Sequence, residues 1–294
     1  MQKDLISILT PCYNTGALIH RLLDSVLMQD YPSVEMFCVD DGSTDDTRDV
    51  VGSYMAKFTE RGYTLTYVYQ ENGGQSVAIN NGLKLIHGEF LIWPDSDDYF
   101  KSEHTLTKMV DALVQHPQYG LCRCLTTYVD EDTLQPLHST LDNDNFKKES
   151  LFEDCLYCQN GFLWGAGNYM ARVSQLRKAN PNMEIYTEKN AGQNWQMLLP
   201  LLYKFKCVPV AEQLFCVLVR RASHSRGFFS GYESTIEKIS AYERTIVNTL
   251  QRIPSLPIDV CNEYIHNLEG KYSREKMLVS INFQKSVTTQ VPLT

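Results

Sequence analysis

The sequence lacks any apolar segment that approaches the ~20 residues of a membrane-spanning helix. Its first residues, MQKDLISILTPCYN, also lack the pattern of a signal peptide, because the apolar stretch is short, follows Asp4 and runs into a loop. We therefore expect a cytoplasmic protein with no transmembrane segment. A peripheral association with a membrane surface stays open.

The sequence has no excess of positive charge. It contains 27 Lys and Arg against 35 Asp and Glu, which gives a formal net charge of −8. A nucleic-acid-binding protein usually carries a basic footprint, so we expect no nucleic-acid partner. Local basic residues (Arg220, Arg221 and Arg226) remain available for an anionic small molecule.

The number and spacing of the cysteines do not indicate a disulfide framework. The nine cysteines are odd in number and scattered, and some of them, such as Cys216, lie inside apolar runs. Buried thiols in a reducing compartment are the favoured interpretation. The closely spaced pairs Cys155/Cys158 and Cys122/Cys124 lack the matching partner pairs of a zinc site, so ordinary core cysteines are favoured over a zinc or redox role.

The first hundred residues alternate between strand patterns and helix patterns. Strands are predicted at 5–9, 34–40, 65–69 and 90–93, and helices at 17–29, 43–58 and 76–86. Ser43 is the expected N-cap of the second helix. Strands separated by helices form right-handed crossovers, so we expect an α/β fold with a mainly parallel, Rossmann-like sheet flanked by helices.

Beyond residue 101 the alternation is less regular. Helices are predicted at 103–115 and 191–205, strands near 120–129 and 207–219, and two further amphipathic helices at 232–252 and 258–279. The last two helices predict a C-terminal helical appendage to the main α/β domain.

Polar residues follow each of the first four predicted strands. Ligands of parallel α/β sheets bind beyond the carboxyl ends of the strands, so we expect these residues to converge on one crevice. They are Thr10, Pro11, Tyr13 and Asn14, then Asp40, Asp41 and Gly42, then Glu71, Asn72, Gly73 and Gly74, and finally Asp95, Asp97 and Asp98.

The stretch FLIWPDSDDYF, residues 90–100, places three carboxylates directly after a buried strand. Like charges crowded at a strand end repel one another, so a positive charge is expected beside them. Carboxylates spaced i and i+2 suit Mg²⁺ or Mn²⁺, which keep positions open for water and phosphate oxygens. A solvated loop is the alternative, and the position at the end of a fourth βαβ strand favours the metal.

Three strings carry a family resemblance: TPCYNTGALIHRLLDSVLMQDYPSVEMFCVDDGSTDDT, then ENGGQSVAINNGL, then WPDSDD. In this order they resemble the family-2 glycosyltransferases, which have the GT-A fold, use nucleotide sugars and transfer the sugar with inversion of its anomeric configuration. The resemblance is specific over residues 5–100, fair over 101–226 and absent from the C-terminal helices. It implies a GT-A domain over 1–228, with a nucleotide-binding half (1–100) and an acceptor-side half (101–228), followed by a helical region (229–294).

The resemblance also implies roles for individual residues. Asp97 matches the metal ligand, and His224 fits a histidine that completes the metal shell in some relatives. The exposed backbone N–H groups of Gly73 and Gly74 would form a wall of the donor site. The residues matched to donor binding are Thr10, Pro11, Tyr13, Asp40, Asp41, Asn72, Gly73, Gly74, Asp95, Ser225 and Arg226. An exposed basic loop with an incidental histidine is the alternative for 220–226.

The implied reaction transfers a sugar from a UDP-sugar to an acceptor hydroxyl, with Mn²⁺ or Mg²⁺ neutralising the departing diphosphate. Here the chain departs from its relatives. They usually carry a Glu-Asp pair in a G-E-D-W-like string, where this chain has Gly192-Gln193-Asn194-Trp195. Neutral amides cannot take a proton near pH 7, so Gln193 and Asn194 are expected to orient hydroxyl groups.

Three explanations of that departure stay open. Another carboxylate, from Glu188, Glu184 or Asp98, serves as the general base; or the chemistry proceeds with weak base assistance; or the chain only binds a nucleotide sugar. The intact donor and metal residues favour the first two explanations.

The acceptor side has one candidate, Trp164, which either stacks on a sugar or belongs to the core. The expected function is synthesis of a bacterial surface polysaccharide or glycosylation of a protein. The expected partners are a nucleotide-sugar donor, a glycan or glycoprotein acceptor and a second copy of the chain bound through the C-terminal helices. An NAD-dependent oxidoreductase is disfavoured because the first turn, TPCYNTGA, lacks G-x-G-x-x-G.

Overall fold

The computed structural model of the protein describes residues 1–189, 191–221 and 231–289, with side chains described up to residue 283. The first part of the chain comprises β1 (Gln2–Cys12), α1 (Gly16–Leu27), β2 (Val34–Asp41), α2 (Thr47–Arg61), β3 (Thr64–Gln70), α3 (Gln75–Leu83) and β4 (Gly88–Ile92). The middle part comprises β5 (Tyr99–Phe100), α4 (Thr105–Gln115), β6 (Leu121–Asp130), β7 (Pro136–Ser139), α5 (Asp144–Lys147), α6 (Phe152–Tyr157), β8 (Tyr169–Arg172), α7 (Val173–Ala179), α8 (Asn194–Lys204) and β9 (Cys207–Val219). The described chain ends with α9 (Tyr232–Leu250) and α10 (Ile258–Thr289).

The strands of the described residues form one nine-stranded sheet in the order β3-β2-β1-β4-β8-β6-β9-β5, with β7 paired to β6. The first four strands pair in parallel, as the sequence predicts. Beyond β4 the sheet is mixed: β6 and β9 are parallel, whereas β8 runs antiparallel to both of its neighbours. The predicted parallel arrangement therefore holds for β1 to β4, the first third of the chain, where every connection passes through a helix.

The core lies on both faces of the sheet, because successive strand residues point to opposite sides. Ile8 and Ile92 belong to the apolar cluster on one face, and Leu9, Leu91 and Trp93 belong to the cluster on the other. Each fully buried side chain of this kind contributes roughly 1.5–3 kcal/mol of transfer free energy. Apolar helices on both sides thus hold the strands whose ends carry the polar residues.

Helix α1 confirms the predicted amphipathic pattern, since Ile19, Leu22, Leu23 and Val26 are all buried. Helix α2 corrects a prediction: it begins at Thr47, and Ser43 is not its N-cap. Ser43 instead donates its backbone N–H to Asp40 Oδ1 (2.8 Å) and accepts the backbone N–H of Asn14 at Oγ (2.9 Å). These bonds hold the segment after β2 as a turn against the end of β1.

The two C-terminal helices pack on the main core. Ile246 and Leu250 of α9 and Leu268 and Tyr272 of α10 belong to the same apolar cluster as Trp93. The predicted helices are therefore confirmed, and they form a layer of the core. Among the described residues, no helix is both long and apolar enough to span a membrane.

Candidate functional site

The ends of the first four strands converge on one crevice, as predicted. Asn14, after β1, donates to and accepts from the turn that follows β2, with Thr44 N–H 2.8 Å from Asn14 Oδ1. The turn after β3 contacts the same region, because Asn72 Nδ2 donates to the carbonyl oxygen of Asp41 (2.9 Å). The fourth strand end is joined through Gln75, described below.

Asp41 organises the glycine-rich turn that follows β3. Its Oδ1 accepts the backbone N–H of Gly73 (2.8 Å) and its Oδ2 accepts that of Gly74 (2.8 Å). Gln70 Nε2 donates to Oδ1 as well (2.7 Å). The prediction that Gly73 and Gly74 present exposed N–H groups to a ligand is therefore wrong, because a buried carboxylate that accepts both amides is more stable than an unpaired one. Asp41 shapes the wall of the crevice from behind.

Backbone conformation explains one glycine in each of the turns after β2 and β3, and close packing is a further reason at Gly42. Gly42 has φ +82°, and a Cβ there would lie 2.9 Å from the backbone nitrogen of Asn72. Gly74 has φ +95° and lies against the backbone of Lys189. The positive φ favours glycine at both positions, and at Gly42 there is also no room for a Cβ atom. The turns after β2 and β3 thus approach each other more closely than any side chain would permit.

Asp40 lies at the end of β2 with 1% of its surface exposed. Its Oδ1 accepts the N–H of Ser43, and its Oδ2 accepts the hydroxyl of Tyr67 (2.6 Å). Burial and the bond to this carboxylate raise the pKa of Tyr67. A carboxylate has lone pairs for further donors, so Asp40 keeps the capacity to accept one more N–H at this edge.

The residues at the end of β1 differ in exposure. Thr10 and Pro11 are buried, whereas 53% of the Tyr13 side chain is exposed. Of the predicted donor residues here, Tyr13 presents a free aromatic face. Thr10 supports the strand end from inside.

Asp95 joins three elements at the mouth of the crevice. Its Oδ1 accepts Nε2 of Gln75, the first residue of α3 (2.7 Å), and Nε2 of Gln193, which precedes α8 (3.1 Å). Burial, and next the charge of Asp97, raise the pKa of Asp95 to about 6. The two amide donors act in the opposite direction. This carboxylate is therefore poised for a cation or a proton.

Asp97 carries the ion pair of the acidic turn, the segment 95–98 that follows β4 and contains Asp95, Asp97 and Asp98. Its Oδ2 lies 3.1 Å from Nη1 of Arg220, which directly follows β9, and a quarter of each side chain is exposed. Burial raises the pKa of Asp97, and the Arg220 guanidinium opposes that rise. The positive charge expected beside the carboxylates is thus supplied in part by the chain itself.

Asp98 points into the protein. It is 4% exposed, and its Oδ1 accepts the backbone N–H of Leu218 in β9 (2.9 Å). Burial, followed by the charges of Asp97 and Asp95, raises its pKa well above the ordinary value. The bond ties the acidic turn to β9, and this engagement argues against Asp98 as a base that meets an acceptor.

Gln193 and Asn194 occupy the start of α8 beside the acidic turn. The Gln193 amide donates to Asp95, and Asn194 Nδ2 donates to the carbonyl oxygen of Trp164 (2.8 Å). Gln193 Oε1 and Asn194 Oδ1 are buried and have no hydrogen-bond partner within the described chain. Both oxygens are acceptors only, so they can orient a hydroxyl group but cannot take its proton.

The other carboxylates weighed as bases lie in the segment before α8. Glu188 is bound by Arg244 of α9, with Oε2 3.1 Å from Nε, and its side chain is 12% exposed. Glu184 is exposed, and its backbone carbonyl accepts Nδ2 of Asn180 (3.0 Å) at the end of α7. The Glu188 carboxylate is therefore occupied by an arginine, whereas the Glu184 side chain is exposed.

Trp164 lies within a row of aromatic rings, between Phe162 and Trp195. Its ring lies 4.7 Å from those of Phe162 and Trp195, and Trp195 lies 5.0 Å from Tyr242 of α9. The Trp164 side chain is half-buried. It is therefore packed by its edge-to-face partners yet keeps part of its surface exposed.

A cavity of about 270 Å³ lies behind this row in the second half of the chain. Its wall includes Phe162, Phe146 and Leu163, together with Asp154 and Asn160. The Asp154 carboxylate accepts Nδ2 of Asn160 at 2.6 Å. Amide, carboxylate and aromatic groups in one cavity match the chemistry of a sugar ring, which offers hydroxyl groups and an apolar face.

The donor set of the acidic turn fits a hard divalent cation. Asp95 and Asp97 provide carboxylate oxygens, the ligands that Mg²⁺ and Mn²⁺ prefer, and burial raises the pKa of both. In the part of the chain that the structure describes, no cluster of three or more His, Cys, Asp or Glu forms a closed metal cage. The site therefore suits an ion that arrives with further oxygen ligands. His224, Ser225 and Arg226 lie outside the described residues.

Sequence reasoning missed three site residues. Gln75 follows the glycine-rich turn inside a recognised motif, and its position was the available signal. Arg220 was noted only as part of a basic spot. Arg244 lies on a helix with no family resemblance, and its pairing with Glu188 across 56 residues left no local signal.

Comparison with known proteins identifies a family. The profile described as Glycosyl transferase family 2 matches residues 7–174. The chain is 40% identical over 114 residues to the putative teichuronic acid biosynthesis glycosyltransferase TuaG of Bacillus subtilis, which covers 38% of this chain and 43% of TuaG. It is 35% identical over 104 residues to glycosyltransferase GlyA of Streptococcus pneumoniae, covering 35% of this chain and 14% of GlyA. The matches span less than half the length of these curated relatives.

Solved structures show the same fold. S. aureus TarS 1-349 in complex with UDP-GlcNAc superposes with a TM-score of 0.64 at 19% identity, covering 98% of this chain and 76% of that one. The mannosyltransferase PcManGT from Pyrobaculum calidifontis, in complex with GDP-Man and Mn²⁺, gives a TM-score of 0.61 at 16% identity, with the same coverage of 98% and 76%. The predicted GT-A type fold is confirmed.

Proposed function

The chain belongs to glycosyl transferase family 2, and we propose that it transfers a sugar from a UDP-sugar to a hydroxyl group of a glycan or glycoprotein, with inversion and with a divalent cation. The observation that carries this proposal is the joining of the strand-end crevice to the acidic turn through Gln75 and Asp95. A nucleotide held in the crevice would extend its diphosphate toward Asp97. The TarS structure holds UDP-GlcNAc, which supports a UDP-sugar as donor.

The nucleotide would contact two polar positions at the strand ends, the exposed Tyr13 and the buried Asp40. Tyr13 offers an exposed ring for stacking. Asp40 accepts the N3–H of uracil with its remaining lone pairs. Asp41, Gly73 and Gly74 act indirectly, because their mutual hydrogen bonds fix the wall against which the nucleotide lies. Thr10, Pro11 and Asn72 support the same wall, and Ser225 and Arg226 remain proposed partners of the diphosphate.

Asp97 would hold the cation, with Asp95 beside it and His224 as a further proposed ligand. A bound Mn²⁺ or Mg²⁺ supplies positive charge to the departing diphosphate. Gln75 and Gln193 keep the Asp95 carboxylate oriented through their amide groups, at 2.7 and 3.1 Å. The metal part of the proposal rests on carboxylate chemistry and burial.

Of the residues weighed for the catalytic role, Asn194, Glu188 and Asp98 offer no free carboxylate, and Glu184 is exposed. Asn194 is an amide, Glu188 is bound by Arg244, and Asp98 is buried against β9. We therefore favour weak base assistance, in which stabilisation of the leaving diphosphate supplies most of the rate. Asn194 and Gln193 would orient the attacking hydroxyl with their unpartnered oxygens.

The acceptor would approach from the second half of the chain. The half-buried Trp164 and the cavity of about 270 Å³ behind Phe162 lie there. Surface polysaccharide is the favoured product, because the name of TuaG places that relative in teichuronic acid biosynthesis. Protein glycosylation is the alternative.

The domain boundaries and assembly are part of the same proposal. A catalytic domain over 1–228 and a helical region over 229–294 remain the proposed division, although both share one apolar core. Exposed apolar side chains on α10 (Ile258, Met277 and Leu278) support self-association through these helices. Their mutation to Ser should leave donor binding intact and shift the mass measured by light scattering.

A catalytically silent nucleotide-sugar-binding protein is the second candidate, because Gln193 and Asn194 replace the acidic pair of the relatives. Incubation with a panel of UDP-sugars, with Mn²⁺ or with EDTA, separates the two functions. We expect metal-dependent release of UDP from at least one donor. Binding of UDP without turnover of any donor, with or without a mixed glycan acceptor, would favour the silent protein.

A further inference from the structure

Arg220 and Asp97 form an ion pair at the position where the proposed cation must bind. Nη1 of Arg220 lies 3.1 Å from Oδ2 of Asp97, and each side chain is 25% exposed. The backbone at this point is fixed, because Leu218, two residues earlier, donates its N–H to Asp98 (2.9 Å). The end of β9 is thus bound to the acidic turn, and the Arg220 side chain reaches Asp97 from a backbone that this hydrogen bond holds in place.

The ion pair compensates part of the negative charge that is crowded in the acidic turn. Asp95, Asp97 and Asp98 lie within four consecutive residues, and burial disfavours the charged form of each. Arg220 stabilises the charged form of both Asp97 and Asp98. An arginine keeps its charge at any physiological pH, so this compensation is permanent as long as the side chain stays in place.

The charge of Arg220 disfavours the addition of a divalent cation to this arrangement. Mg²⁺ binds carboxylate oxygens at about 2.1 Å, closer than the guanidinium nitrogen lies to Asp97. Two positive groups on one carboxylate repel each other strongly where burial limits screening. Arg220 therefore opposes binding of the cation as long as it stays on Oδ2 of Asp97.

The donor supplies a new partner for the displaced side chain. A guanidinium fork matches phosphate oxygens as well as carboxylate oxygens, and a nucleotide sugar brings a diphosphate to the same place as the cation. With the proposed function as its premise, we infer that Arg220 is a resident counter-ion of Asp97 that competes with the divalent cation and transfers to the diphosphate when the metal and donor bind together.

Mn²⁺ titration followed by electron paramagnetic resonance, in the absence of nucleotide, tests the competition. Arg220→Gln removes the charge and should bind Mn²⁺ at least tenfold more tightly than the unmodified protein. Arg221→Gln is the matched control, because Arg221 pairs with Asp132 and has an 82% exposed side chain. It should bind Mn²⁺ as the unmodified protein does.

UDP titration at saturating Mn²⁺ tests the transfer. Arg220→Gln should weaken UDP binding about tenfold, and Arg220→Lys should weaken it less while leaving Mn²⁺ affinity near that of the unmodified protein. Equal Mn²⁺ affinity in Arg220→Gln and the unmodified protein would overturn the inference, and so would unchanged UDP affinity.

The failure of this inference differs from a failure of the proposed metal site. Asp97→Asn should abolish Mn²⁺ binding whether residue 220 is Arg or Gln. If Asp97→Asn binds Mn²⁺ as before, the metal role of Asp97 is wrong. If Asp97→Asn loses Mn²⁺ and Arg220→Gln gains nothing, the metal role stands and the competition does not.

Discussion

The carboxylate of Glu188 is bound through both of its oxygens by the guanidinium of Arg244, at 3.1 Å from Nε and 3.4 Å from Nη2. Arg244 also contacts Glu237, its neighbour on α9, at 2.8 Å. On its other side, the backbone N–H of Glu188 donates to Ser76 Oγ of α3 (3.1 Å). A C-terminal helix outside the family profile is thereby joined to the loop that leads to Gln193.

Replacement of Glu188 or Arg244 distinguishes a structural carboxylate from a general base. We expect Glu188→Gln and Arg244→Gln each to lower kcat/KM for donor turnover by roughly three- to tenfold, because either change loosens the same loop. The effects of substitutions at contacting residues are not additive, so kcat/KM of the double variant should be no lower than that of the less active single variant. Steady-state kinetics of the four proteins measure this cycle.

A different pattern of kinetic effects in these variants would indicate that Glu188 is the general base. General base removal costs roughly 10²–10⁴-fold in rate. A loss of that size in Glu188→Gln, with Arg244→Gln nearly unaffected, would contradict the structural role assigned to the ion pair.

Asp41 should matter mainly for stability. Asp41→Ala leaves the part-buried N–H groups of Gly73 and Gly74 without their acceptor, at a cost of up to about 1–3 kcal/mol for each group. We expect a loss of about 2–5 kcal/mol in the free energy of unfolding and weaker UDP binding. Urea unfolding measures the first, with exposed Asp132→Ala as control. A loss of UDP binding without any loss of stability would instead show direct ligand contact.

Asp95 should destabilise the metal-free protein at neutral pH. Its pKa is raised from the ordinary 3.8 to about 6, so between those values the folded state binds more protons than the unfolded state. The free energy of unfolding therefore falls as pH rises from about 4 to about 6. A rise of about two pKa units corresponds to at most ~3 kcal/mol at pH 7.

Asp95→Asn keeps an oxygen acceptor for Gln75 and Gln193 but has no charge to bury. In EDTA we expect the variant to be more stable than the unmodified protein at pH 7, with the difference shrinking toward pH 4. Urea unfolding at both pH values, with Asp132→Asn as control, measures this. A less stable Asp95→Asn at pH 7 would contradict the assigned electrostatic cost.

The sequence predicts the fold well where it depends on the periodicity of apolar residues and on the position of polar residues at strand ends. The strand at 207–219 and the amphipathic α1 are present with close bounds, because apolar periodicity is set by local burial. The four polar strand ends converge because parallel connections leave no other arrangement. The start of α2 was placed four residues early, because a tertiary bond from Asn14 competes with the capping role of Ser43.

Partners distant in the sequence could not be predicted from it. The pattern of the glycine-rich turn indicated free N–H groups, yet Asp41, 32 residues away from Gly73, accepts one of them. Arg220 reaches Asp97 from the last long strand of the sheet, and its side-chain direction depends on how β9 pairs with β6. The motifs located the site, whereas long-range contacts decide which atoms in it are available.

Calorimetric titration of UDP in Mn²⁺ and in EDTA, for the unmodified protein and for Asp97→Asn, tests the central claim most directly. The account predicts that UDP binds at least tenfold more tightly with Mn²⁺, and that Asp97→Asn loses this difference. Equal UDP affinity in Mn²⁺ and EDTA, or an Asp97→Asn variant that keeps the full effect of Mn²⁺, would contradict a cation held by Asp97 at the diphosphate.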